Sequence, residues 1–297
     1  MKLCLGTVQF GIDYGLRGRP KPSLDASVEM LDYAVRNGVD AIDTSALYGN
    51  AEAVVGEFLR RNQMLRGNLS VVSKFGISGF DGLSSQELEQ RVLDVAGESL
   101  VRLGSNHLDA YICHVPSAVR DDRVMQALGA LRRSGLASHV GFSVYETEEA
   151  EIAINSGVVD FLQIPFSVLD QRMATQGILE LAARRGVELH SRSAYVQGLA
   201  LMDPEFVPEH LAEIRPSIAR LAELCRSANV PRQVLALAVV RGFTQISHLV
   251  FGVHDMNQLV DTITSFSCDV PGDVVQAAQR LFSDIKPELV MPNKWKR

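Results

Sequence analysis

Along this chain, short apolar runs alternate with longer stretches in which apolar residues return every third or fourth position, the periods of strand and amphipathic helix. The runs place strands near Lys2 to Val8, Val39 to Thr44, Leu69 to Phe75, Leu108 to His114, His139 to Ser143, Phe161 to Ile164, Val187 to Ser191 and His248 to Phe251. Between the first two, SVEMLDYAVRNG puts Val28, Leu31, Ala34 and Val35 on one helix face, and Gly38 supplies a stop. This is the rhythm of a parallel β/α protein of eight units. After the seventh strand, QGLALMDPEFVPEHLAEIRP is long and proline-rich, as lids and binding loops tend to be, and is expected over a ligand. Past the eighth, helices are expected near Met256 to Thr264 and from roughly Val274 to Ile285, followed by a tail with the only tryptophan, Trp295.

Four polar residues stand at or just after strand ends: Asp43 and Tyr48 in VDAIDTSALYGN, Lys74 in LSVVSKF and His114 in LDAYICHVP. Parallel β/α proteins carry their chemistry at strand C-termini, so the four read as one site. A phenol is a weak acid, with an unperturbed pKa of about 10, but a nearby ammonium favours its ionised form. Lys74 is the candidate for that charge, Asp43 for holding Lys74 protonated and oriented, and His114 for donating a hydrogen bond to a bound carbonyl oxygen. Singly, each has a plainer reading: Asp43 as a turn residue, Tyr48 as a core aromatic, His114 as a satisfied buried histidine. Lys74 is hardest to explain that way, because VVSKF puts a charge where alternating side chains face a core. Together they describe a carbonyl-reduction site lacking only a hydride.

The segments LGTVQFG, DTSALYGN, SKF, ICHVP, GFS, LQIPFS and SRSAYVQG follow the order found in aldo-keto reductases, and from Leu5 to about Leu259 the chain resembles that family. The resemblance implies a (β/α)8 TIM barrel forming a single domain over residues 1–297, a nicotinamide dinucleotide as hydride donor and Tyr48 as general acid or base. The length exceeds the roughly 250 residues usual for this barrel only modestly, leaving room for loops and an extra C-terminal helix. Many relatives place a β-hairpin under the barrel before the first strand. Here LCLGTVQFG comes almost at once, so other groups or the inward side chains must fill that face. In the family a C-terminal segment often helps form the substrate pocket, which would bring Trp295 over the site; a mobile basic terminus is the plainer expectation.

By the same resemblance, Ser143 and Gln163 hold the nicotinamide carboxamide, with Val144 where an asparagine is usual. Arg192 takes the place where relatives stack an aromatic ring on the nicotinamide; it is expected to stack there, to reach an anionic substrate group, or to form a structural salt bridge. FGVHDMNQL matches the segment that opens a helix beside the adenosine and its phosphates, giving Gly252, His254 and Gln258, with Asn257 as a further candidate. That segment has no Lys or Arg. The resemblance implies that NADP(H) is favoured and NAD(H) possible, but without that cation the preference is expected to be smaller than usual and, where His254 carries part of the contact, to weaken as it loses its proton near an unperturbed pKa of about 6.5. Tyr14, Arg17 and Arg19 are expected to line the mouth and hint at a polar substrate, a sugar or sugar derivative first and a small aldehyde second.

A net charge of −6 argues against nucleic acid or an anionic membrane as the main partner. No apolar run is long enough to span a bilayer, and Met1 to Phe10 lacks the plan of a signal peptide, so the expected location is cytoplasmic. Cys4, Cys113, Cys225 and Cys268 show no metal-ligand spacing and read as reduced apolar fillers, Cys113 pointing out of the barrel. Two other classes stay open: a nucleotide-binding regulatory subunit with negligible turnover, and a lyase forming a Schiff base on Lys74.

Overall fold

The computed structural model describes residues 1–15, 18–282 and 285–295. Eight parallel strands close on themselves in sequence order: β1 Lys2–Gly6, β2 Ala41–Asp43, β3 Ser70–Phe75, β4 Leu108–Cys113, β5 Ala137–Ser143, β6 Phe161–Pro165, β7 Glu188–Arg192 and β8 His248–Gly252. β1 pairs with β8 from Lys2↔His248 to Gly6↔Gly252, which shuts the barrel. The helices packed around it are α1 Leu24–Arg36, α2 Ala51–Arg61, α3 Ser85–Leu103, α4 Asp122–Ser134, α5 Thr147–Asn155, α6 Ile178–Arg185, α7 Arg215–Ser227, α8 Arg232–Arg241, α9 Met256–Ser267 and α10 Gly272–Leu281.

Local chemistry sets the helix ends. Ser23 caps α1 by accepting from the Ala26 amide, and α1 buries Val28, Met30, Leu31 and Ala34 before Gly38 turns the chain at φ +92°. Ser84 and Glu87 form a reciprocal capping box at the start of α3. β1 stops at Gly6, two residues short of the expected end, because Val8 already begins a helical turn, Val8–Gly11.

Alternation along the strands splits the apolar residues. Val72, Ala110, Ile112 and Phe161 form one inner cluster, and Cys4, Ala41 and Val250 a smaller one. The outward set, Cys113 included, joins the large core between sheet and helices, and burial pushes the Cys113 thiol up to about 12. At the N-terminal end of the barrel the inward groups are polar. Lys2 donates to Asp40 at 2.5 Å, Asp40 meets His248, and His248 and His190 meet Glu188. These groups fill the barrel face for which the sequence left other groups or inward side chains to be found.

The segment after β7 differs from the expected open loop. It is built of three 3-10 turns, Val196–Leu201, Pro204–Phe206 and Glu209–Ile214, and packs Val207, Leu211 and Ile214 into a second apolar cluster with α7 and α8. Trp295 belongs to that cluster, with its ring edge-on to His210. It is neither over the site nor loose, because buried apolar area holds it and Lys294 reaches Glu146 at 2.6 Å. The expected helix from Val274 ends at Leu281 within α10, and Ile285 lies past two residues outside the described set. No helix among the described residues is long and apolar enough to cross a membrane.

A close backbone approach gives a test of the closure. A Cβ at Gly141 in β5 would stand 1.7 Å from the Phe161 carbonyl oxygen, and backbone in a closed sheet has little room to yield. Gly141→Ala is expected to destabilise the protein by about 3 kcal/mol or more, read as a shift of the urea midpoint at unchanged slope; a shift within error contradicts this packing.

Candidate active site

The C-terminal mouth of the barrel is organised by an ammonium. Lys74, inward on β3 and 0% exposed, donates to both Asp43 oxygens at 2.6 and 2.7 Å and to the Thr44 carbonyl at 2.8 Å. Burial lowers its pKa while the Asp43 carboxylate opposes that shift. Gln163, from the middle of β6, donates its amide to Asp43 Oδ2 at 2.7 Å.

Tyr48 lies in the turn between β2 and α2, with Lys74 Nζ 5.0 Å from its ring centroid. Gly11 and Gly49 hold that turn close. A Cβ on Gly11 would fall 1.6 Å from the Tyr48 carbonyl oxygen, and Gly49 takes φ +55° against the Gly11 carbonyl. The His114 ring meets that of Tyr48 edge-on, centroids 5.5 Å apart. Asp43, Tyr48, Lys74 and His114 thus converge as expected. The electrostatic balance on Tyr48 differs from the expectation: burial first, then the Asp43 carboxylate, raise the phenol well above its usual pKa. Burial and Asp43 outweigh the pull of the Lys74 ammonium, so Tyr48 stands in this site as a neutral hydrogen-bond donor.

His114 follows β4, and its pKa is lowered to about 3 by burial and then by the charges of Lys74 and Arg192. A residue not singled out in the sequence supports it. The buried Ser45 hydroxyl lies 3.3 Å from His114 Nδ1 and 3.3 Å from the Lys74 carbonyl, and accepts the Leu47 amide at 3.1 Å. Because the imidazole is neutral, the direction of the Ser45 proton sets which ring nitrogen carries hydrogen.

A cavity of about 710 Å³ connects Tyr48 and His114 to Gly252, His254 and Gln258. Gln163 and Arg192 line it, whereas Ser143, paired with Gln163 in register, is buried behind the wall. Arg192 makes no salt bridge among the described residues, so the structural-pair reading is set aside: its guanidinium lies 4.1 Å from the Tyr145 ring centroid and donates to the Val144 carbonyl at 2.8 Å. At the rim Ser193, Val196 and Gln197 all hold positive φ, for a β-branched valine an uncommon strain of the kind that gathers at ligand sites.

At the far end Asp255 caps α9 by accepting the Gln258 amide, and the Gln258 side chain accepts the His254 amide, so two helix-start donors are already engaged. Arg19, from the segment after β1, comes within 3.8 Å of Asp255. Burial, then Arg19, lower the His254 pKa, which leaves the imidazole neutral at pH 7. Tyr14 and Arg19 line the cavity as expected; Arg17 lies outside the described residues. The fit to a dinucleotide is supported by buried polar atoms on this wall that lack a partner among the described residues: Gln9 Oε1, Arg192 Nε, Gln197 Oε1 and His254 Nδ1. Such atoms are costly unless a ligand or water satisfies them.

The His114 shift has a pH consequence. Its folded pKa lies below the unfolded value of about 6.5, so the unfolded chain takes up the proton first and stability falls as pH drops from about 6.5 toward 3. His114→Gln is expected to flatten the stability profile of pH 4 to 6.5 by roughly 1 kcal/mol per pH unit, measured by urea unfolding across that range. Parallel profiles for the two proteins overturn the assignment.

Comparison with known proteins agrees with this geometry. Residues 2–281 match the model of the aldo/keto reductase family. The Bacillus subtilis (strain 168) oxidoreductase YrpG is 24% identical over 96% of this chain and 92% of its own length. The methylglyoxal reductase DkgB of Escherichia coli O157:H7 is 26% identical over 75% of this chain and 76% of its own. The solved holo form of aldo-keto reductase AKR11C1 from Bacillus halodurans shares the fold, with a TM-score of 0.73 at 18% identity over 99% of this chain and 95% of that one. A closed parallel barrel with this family match from its first strand past its last places the chain in the aldo/keto reductase family, as an NAD(P)H-dependent oxidoreductase.

Proposed function

We propose that the 297 residues form one reductase domain that interconverts a polar aldehyde or ketone, a sugar or sugar derivative foremost, with its alcohol. The observation that carries the reading is the buried Lys74–Asp43 pair behind Tyr48, with His114 edge-on to the phenol at the cavity wall. The nicotinamide nucleotide, when bound, supplies the hydride. Tyr48 donates a hydrogen bond to the carbonyl oxygen and yields its proton as negative charge develops there; the phenolate left behind is stabilised by Lys74. Asp43 keeps Lys74 protonated, and neutral His114 gives the oxygen its second hydrogen bond. Gln163, its amide nitrogen committed to Asp43, keeps Oε1 for the carboxamide.

Lys74 favours this over Schiff-base chemistry. Its three hydrogen bonds and full burial leave no lone pair for attack on a carbonyl. The Arg192 guanidinium, without an acidic partner among the described residues, favours a polar substrate over a greasy one.

NADP(H) is favoured and NAD(H) accepted, with Arg19 as the cation for a 2′-phosphate that the β8 segment lacks. Asp255 beside it keeps the preference moderate. Since His254 is neutral at pH 7, its titration does not set the preference.

Two measurements test this. Tyr48→Phe is expected to lose turnover by about a thousandfold while nucleotide affinity, followed by fluorescence quenching, changes little. Near-normal turnover on a panel of sugars and aldehydes places the acid elsewhere, and tight NADPH binding without oxidation by any carbonyl supports a regulatory role. Arg19→Gln is expected to cut the NADPH-over-NADH preference by about tenfold with NADH affinity unchanged, in competition titrations at pH 6 and 8. An unaltered preference removes Arg19 from phosphate recognition.

A further inference from the structure

The opposite end of the barrel holds a cluster that the reductase chemistry does not use. Glu188 and His190 are two residues apart on β7 and share its inner face, and His190 is the register partner of His248 on β8. One carboxylate oxygen and two imidazoles therefore come together by strand geometry alone. Glu188 Oε1 stands 3.1 Å from His190 Nε2 and 3.6 Å from His248 Nδ1, and the three residues offer ligand atoms all within 4.8 Å of one another. Donors about 2.0–2.1 Å from a tetrahedral zinc ion lie roughly 3.4 Å apart. The two measured separations bracket that edge.

We propose that Glu188, His190 and His248 form a binding site for a divalent transition-metal ion, zinc being the best fit, at the N-terminal mouth of the barrel. The donor set of two imidazoles and one carboxylate suits zinc and its neighbours rather than magnesium or calcium, which take oxygen ligands. A second observation comes from behind His248. Its Nε2 lies 3.2 Å from Asp40 Oδ1, and Lys2 holds the other Asp40 oxygen at 2.5 Å. A carboxylate on the far nitrogen fixes the tautomer that presents Nδ1 to the cluster and raises its basicity, the usual support of a metal-bound histidine. Ser247 Oγ steadies Glu188 Oε1 at 2.8 Å.

Access is graded, with His190 1% exposed and the side chains of His248 and Glu188 13% and 35% exposed. Lys2, Asp40 and His248 also line a cleft at this mouth from which water can complete the coordination. His190 is the weaker member. Its Nδ1 is buried without a partner, so with Nε2 on the metal the proton at Nδ1 has no protein acceptor. Loss of such a contact costs about 10- to 100-fold in affinity, which points to binding in the micromolar range. Binding needs only the His190 proton on Nδ1 and the His248 proton on Nε2, and leaves a metal staple between β7 and β8.

The test uses full-length, untagged protein stripped with a chelator and dialysed against Zn²⁺ or Co²⁺. Expected are one equivalent of either metal by elemental analysis, the intense visible absorption of four-coordinate Co²⁺, and a Tm rise of roughly 3–5 °C at a hundredfold excess over Kd. Glu188→Gln and His248→Asn, checked for native circular dichroism and nucleotide binding, should each lose the stoichiometric metal, whereas His210→Ala keeps it. If a variant fails to fold, the Co²⁺ spectrum and histidine NMR shifts of the native protein still decide. Absence of uptake, or uptake that survives both substitutions, leaves a hydrogen-bonded plug and overturns the proposal.

Discussion

The Lys74 ammonium is wholly enclosed, and an unpaired charge in such a place costs several kcal/mol, so the structure around it must supply compensation. Two oxygens of Asp43 and the Thr44 carbonyl come from the end of β2, and Gln163 braces the carboxylate from β6 across the barrel. Moving one strand by a residue would turn Lys74 or Asp43 to the outer face and strand the partner's charge. Register is thereby tied to electrostatics at this end. The turn carrying Tyr48 begins at Asp43, and the His114 amide is bonded to the Phe75 carbonyl beside Lys74, so the aromatic pair inherits its position from the ion pair.

The barrel interior is layered by polarity. An ionic network at one mouth and an ion pair at the other enclose a middle of small and branched apolar side chains, Cys4, Ala41, Val72, Ala110, Ile112 and Val250, with Phe161 the large member. The middle supplies burial, while the ends, where water reaches, carry the charges. Such a division lets the two mouths hold different chemistry on one scaffold.

What was legible in the sequence is what depends on local period. Alternation gave the strands and the outward turn of Cys113, and a lysine inside VVSKF signalled a buried partner before any partner was known. What was not legible depends on distances between remote segments. Ser45 lies in the same turn as Asp43, yet its meeting with His114 depends on β3 and β4 lying side by side. Arg19 reaches α9 only because β1 and β8 are neighbours. The pull of Lys74 on the Tyr48 proton is opposed for a related reason: a sequence shows that a positive charge is near, not that burial and a neighbouring carboxylate outweigh it. Trp295 was misplaced because its cluster is assembled from residues after β7 and from α7, α8 and α10.

The pairing of β1 with β8 joins residues separated by most of the chain, Lys2 with His248. On a ribosome adding about 5–20 residues per second, the first strand waits roughly 12 to 50 seconds for its last neighbour to be made. Through that interval β1 has one edge without its partner, and the polar network of Lys2, Asp40, Glu188 and His248 is only partly assembled. An unpaired strand edge is a template for other chains. The Lys2 side chain that ends up at the barrel floor therefore also serves earlier, as a charge on the β1 edge that discourages its capture before β8 is made.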